Sequence, residues 1–115
     1  MTPRGVVALA GCVALLVTVA SAAGPFEGRW APDAQSCDSG HAGTALLVVE
    51  TLSLRWREAA CAVRSSYRVG DALHIAGRCW ADGATASFPI TLQLRGDRLM
   101  LDWAGAPTQE LRRCP

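Results

Sequence analysis

Ile90-Thr91-Leu92-Gln93-Leu94-Arg95-Gly96-Asp97-Arg98-Leu99-Met100-Leu101-Asp102-Trp103 reads as one β-hairpin, and that reading decides the fold. Apolar residues alternate with others on both sides of Gly96-Asp97, which is the period of a half-buried strand. A two-residue turn there sets Leu94 opposite Leu99, Leu92 opposite Leu101 and Ile90 opposite Trp103. These six residues then share one face, with Thr91, Gln93, Arg95, Arg98 and Asp102 on the other. A slip of one residue would turn the whole apolar set to water, so the register is strongly specified.

The same pattern extends upstream. A three-residue loop at Val69-Gly70-Asp71 places Tyr67 opposite Leu73, Ser65 opposite Ile75, Val63 opposite Gly77 and Cys61 opposite Cys79. Further back, Ala45, Leu47 and Val49 pair with Leu52, Leu54 and Trp56 around Glu50-Thr51. Gly28-Arg29-Trp30 opens the mature region as a short strand, Pro32 to Gly43 reads as a loop, and Gln109 to Cys114 as a closing strand. No stretch downstream of the leader holds helical spacing for more than two turns. The chain is therefore expected to be all-β, a small antiparallel up-and-down meander of seven or eight strands. Closure into a barrel is the arrangement that leaves no exposed edges.

Residues 1–22 read as a secretory signal peptide. Arg4 supplies the basic start, Gly5 to Val19 the apolar run, and Ala20-Ser21-Ala22 the small-x-small cleavage site. The mature domain is then 23–115, beginning at Ala23 or Gly24. The alternative is a lipid anchor through Cys12, since Leu9-Ala10-Gly11-Cys12 has the letters of a lipoprotein signal. Against it, only seven residues separate Arg4 from Cys12, and the chain stays apolar to Val19. The apolar run is also shorter than the ~20 residues of a spanning helix, so no stable membrane insertion is expected after cleavage. Export to the periplasm or beyond is the expected localisation.

Of five cysteines, four remain in the mature chain: Cys37, Cys61, Cys79 and Cys114. An even number in an exported domain of roughly 90 residues reads as two disulfides. Three connectivities are open, and the hairpin register favours Cys61 with Cys79, leaving Cys37 with Cys114.

All eleven basic residues are arginine, and the chain has neither lysine nor asparagine, the usage of a GC-rich bacterial genome. The formal net charge of +1 gives no bulk attraction to nucleic acid or membrane. Any electrostatic function must be local.

Gly28-Arg29-Trp30 at the first strand, with Arg112 or Arg113 in the last, is similar to the lipocalin pattern, in which an arginine covers a glycine-x-tryptophan. The wider layout has a leader, Gly-x-Trp, an early cysteine, two cysteines around a hairpin and a final Arg-Cys. It resembles small periplasmic proteins of proteobacteria to which no activity is assigned. A fainter likeness is to periplasmic metalloprotease inhibitors, small barrels with a Gly-x-Trp start that act through an N-terminal tail. Here only Ala23 to Glu27 precede the first strand. The resemblance implies a lipocalin-like barrel and carries no assigned activity over to this chain.

On the face opposite the core, these registers gather Arg55, Arg57, Arg64, Arg68, His74 and Arg78, with Trp80 at the strand end. Planar guanidinium groups beside an indole suit an anionic ligand, although alternating polar residues are also what any half-buried strand presents to water. Trp30, Trp56 and Trp103 fall on inward positions as core. Ser66 opposite His74 suggests a nucleophile and base, but Asp71 lies in the turn and cannot orient the imidazole. Asp33, Cys37, Asp38 and His41 share a loop, yet Cys37 is assigned to a disulfide, so no metal and no cofactor are expected. The chain is therefore expected to be a non-enzymatic binding domain for a small anionic ligand or a protein partner. The alternative is an inhibitor of a secreted or periplasmic hydrolase, a protease or lysozyme.

Overall fold

The computed structural model describes residues 23–38 and 45–115. Residues 1–22, read as a signal peptide, with Cys12 among them, and His41 lie outside the described residues. Eight strands follow one another in sequence: β1 (Gly28–Ala31), β2 (Leu47–Val49), β3 (Ser53–Trp56), β4 (Ala59–Val69), β5 (Ala72–Ala81), β6 (Ala84–Arg95), β7 (Arg98–Trp103) and β8 (Gln109–Arg113). Each pairs antiparallel with the next, and β8 returns to β1 to close the barrel.

The β6–β7 hairpin has the register its alternation dictates, with Leu94 paired to Leu99, Leu92 to Leu101 and Ile90 to Trp103. Ile90, Leu92, Leu99 and Leu101 are buried in the core with Leu47, Leu54, Leu73 and Leu111. Burying one such side chain stabilises the fold by about 1.5–3 kcal/mol, which is why these residues all face inward. Gly96 stands at the first turn position with φ +61°, a conformation glycine takes without steric strain.

Two hairpins differ from the expected pairing. The β4–β5 turn is Gly70-Asp71, two residues, so Val69 pairs with Ala72, Tyr67 with His74 and Ser66 with Ile75. A bulge at Arg64 between Val63 and Ser65 takes up the extra residue, and Val63 opposite Gly77 and Cys61 opposite Cys79 stand as expected. Between β2 and β3 the chain reverses through the four-residue turn Glu50 to Ser53, closed by the Glu50 N–H donating to Ser53 O at 2.9 Å. Leu47 thus pairs with Trp56 and Val49 with Leu54, a shift of two residues that keeps Leu54 and Trp56 inward and expels Leu52 into water.

The segment expected as a plain loop contains a short helix, α1 (Ala34–Asp38). Asp33 accepts a hydrogen bond from the Ser36 N–H at 2.8 Å, satisfying one of the N-terminal donors a helix leaves open. That helix carries Cys37 to Cys114, and the second disulfide joins Cys61 to Cys79 across β4 and β5. The two bonds are those of a protein from an oxidising environment.

One barrel end is filled. A 3₁₀ turn (Gly24–Phe26) sets Phe26 in the core, and the Trp30 indole N–H donates to Phe26 O at 2.9 Å. Arg113 covers Trp30, with its guanidinium carbon 4.2 Å from the ring centroid.

Candidate functional site

The alternation of β4, β5 and β6 arranges their outer residues in rows across the sheet. Ala62, Arg78 and Ser87 form one row, Ser65, Ala76 and Pro89 the next, and Tyr67, His74 and Thr91 the third. Arg64, the bulged residue, enters between the first two. A bulge bends its strand and sharpens the local twist. At this bend the three strands enclose a groove of about 670 Å³.

Ala76 and Pro89 give the groove a low floor. At one end the Tyr67 and His74 rings stack with centroids 4.9 Å apart and planes 17° from parallel. His74 Nδ1 lies 3.4 Å from Thr91 Oγ1, so the imidazole is held between β4 and β6. Arg64 and Arg78 stand at the other end, both exposed. Trp80 follows two residues beyond Arg78 on the same face and is 47% exposed.

Among the described residues, Arg55, Arg64 and Arg78 pair with no carboxylate, whereas Arg98 pairs with Glu110 and Asp97. The cause is local sequence. The acidic residues of this half of the barrel, Glu58, Asp71 and Asp82, occupy the turns between strands, and no Asp or Glu falls on an outward position from β3 to β6.

The arginines expected on a single surface fall in four places. Arg64, Arg78 and His74 line the groove. Arg55 shares the outer row of Ala60 and Trp80, next to the Arg78 row. Arg57 stands in the β3–β4 turn with φ +55°, its guanidinium 5.2 Å from the Trp56 ring centroid. It borders a separate depression of about 410 Å³ at the barrel mouth, lined also by Glu58 and Trp103.

Arg68 is not on the outer face. The bulge reverses the parity of β4 beyond Arg64, so Arg68 pairs with inward-facing Leu73 and its guanidinium lies 5.5 Å from the Phe26 ring centroid. The same reversal sends Ser66 inward opposite Ile75 and brings Tyr67 outward, so Ser66 and His74 are on opposite faces. Tyr67 is the groove residue that sequence reasoning misplaced, since nothing in the letters of β4 marks the bulge.

Compared with protein-family models, curated proteins and solved structures, the chain matches none. Among the described residues, no group of three or more His, Cys, Asp or Glu residues is placed to hold a metal ion. Cys37 is bonded to Cys114.

Proposed function

We propose that this chain is an exported, non-enzymatic binding module that takes an anionic ligand in the groove on the outer face of β4, β5 and β6. The observation that carries this reading is the pair Arg64 and Arg78, at the end of a concave site, with no carboxylate partner among the described residues. An unpaired guanidinium offers five N–H donors in a planar fork, and a carboxylate or phosphate can accept two of them at once. The groove's volume lies within the range of small-molecule sites, and its stacked Tyr67 and His74 rings form a flat aromatic wall at one end. Export is supported by the leader-like residues 1–22 and by the two disulfides.

The test is nuclear magnetic resonance titration with citrate and with inorganic phosphate. Shifts are expected at the Arg64 and Arg78 side-chain N–H groups and at Ser87, weakening as ionic strength rises. Arg78→Ala should weaken binding by about tenfold, the loss of one charge-assisted contact, with an unchanged urea midpoint. Shifts confined to other surfaces, or an Arg78→Ala variant that binds as before, would sink the reading.

A further inference from the structure

The groove ends at an edge of the sheet. β6 pairs with β5 from Ala84 to Gln93, but β7 begins to pair with it only at Ile90. Among the described residues, no strand covers the other side of Ala84 to Phe88. Backbone parity identifies the groups left open. Pro89 O accepts from the Ala104 N–H at 2.9 Å, so the Pro89 carbonyl points to the β7 side. The β5–β6 register is unbroken, so Thr85 and Ser87 turn their N–H and C=O groups to that same side. The Leu94 N–H, with the opposite parity, donates to Asp71 O on the β5 side at 3.0 Å.

Natural edge strands are blunted by charge, by proline, by bulges or by extreme shortness. This edge carries no charged residue from Ala84 to Phe88 and no bulge; Pro89 marks only its inner end. Ala84 to Ser87 are all exposed. Immediately inside the edge, on the outer face, Ser87 lies beside Arg78 and Thr85 beside Trp80.

We infer that an extended acidic segment of another polypeptide adds to β6 as a ninth strand, pairing with Thr85 and Ser87 and placing a carboxylate on Arg78. The inference rests on the anion-binding reading of the groove and names the partner. Strands lie about 4.8 Å apart, so a residue opposite Ser87 sits about 10 Å from Arg78, a span that glutamate and arginine side chains together cover. Ser87 and Thr85 are short enough to leave the passage open. A second copy of this chain fits less well, because edge-to-edge pairing would bring arginine-bearing strips together without a carboxylate on either. Strand addition supplies affinity through the backbone and selectivity through alternate side chains.

The experiment uses the full mature protein and a capped eight-residue peptide of alternating glutamate and threonine. Three controls accompany it: the glutamine version, the fully N-methylated version and the variant Thr85→Pro. Thr85→Pro removes an N–H that no strand among the described residues uses, on an edge where proline is tolerated. N-methylation and Thr85→Pro should each weaken peptide binding about tenfold while citrate binding persists, and the glutamine peptide should bind as weakly. Equal binding of plain and N-methylated peptides, with Arg78-dependent citrate binding intact, overturns strand addition and leaves the anion site standing. If citrate and peptide both ignore Arg78→Ala, the anion site itself falls. A concentration-dependent dimer in sedimentation that Thr85→Pro abolishes would assign the edge to a second copy and overturn the acidic partner. Should Thr85→Pro fail to fold, the N-methylated peptide against the unaltered protein decides alone.

Discussion

Gly28 shows how one missing side chain organises a barrel end. Its φ is +134°, and a Cβ there would lie 2.6 Å from Arg113 Nη1. The space lets Arg113 reach across Trp30 and donate to Glu27 O at 2.8 Å and Pro25 O at 3.1 Å. Those bonds tie the segment before β1 to the last strand, and with it Phe26, the plug of that end. Gly28→Ala is expected to cost about 2 kcal/mol or more in urea unfolding, from the backbone conformation and the clash together. In an Arg113→Ala background its cost should fall, because the clash is gone while the backbone strain remains. The glycine, the tryptophan and an arginine near the end are all visible as letters. That Arg113 and not Arg112 covers Trp30 follows from strand parity, since Arg112 pairs with Arg98 and Ala31 on the outer side.

Among the elements, β4 carries the feature that alternation alone cannot reveal. From Cys61 to Val69 its residues fit either a three-residue turn with a regular ladder or a two-residue turn with one bulge, and both put Cys61 opposite Cys79. The bulged form places Tyr67 on His74 instead of in the barrel, and it sets Arg68 over Phe26. Deleting Arg64 should leave Ser65 on Ala76 and Val63 on Gly77 in a continuous ladder. The deletion variant is expected to fold with both disulfides formed, by mass spectrometry, and to lose citrate binding more fully than Arg64→Ala, because it removes the bend as well as the charge. The short α1 answers to acid. The Ser36 backbone N–H, with a further hydrogen bond from the Ser36 side chain, holds the Asp33 carboxyl below its ordinary value. A lowered folded pKa means the contribution is present above the unfolded value and is lost as pH falls through the folded one, below about pH 4. Carbon-detected titration of Asp33 should show the lowered midpoint, and Ser36 amide protection should fall with it.

For the whole molecule, the disulfides do unequal work. Cys37–Cys114 spans 77 residues of sequence and Cys61–Cys79 spans 18. The chain-entropy model gives about 4.5 kcal/mol for the first and about 3 kcal/mol for the second. Replacing both partners of Cys37–Cys114 with alanine should therefore lower the urea midpoint more than replacing Cys61 and Cys79. The reverse order would mean that packing around the buried sulfurs of Cys61 and Cys79 outweighs loop closure. Closure of the barrel depends on the ends meeting, through β1 on β8 and the Cys114 N–H donating to Arg29 O at 2.7 Å. The sequence by itself determined the strand class, the β6–β7 register with its inward set, and the preferred cysteine pairing, because each rests on a period of two and on turns only a few residues long. Only the tertiary structure decided the bulge at Arg64, the shift between β2 and β3, and the separation of the arginines. It also decided the open edge of β6. Those depend on where distant strands begin and end against one another, and a strand's own alternation carries no record of its neighbour's length.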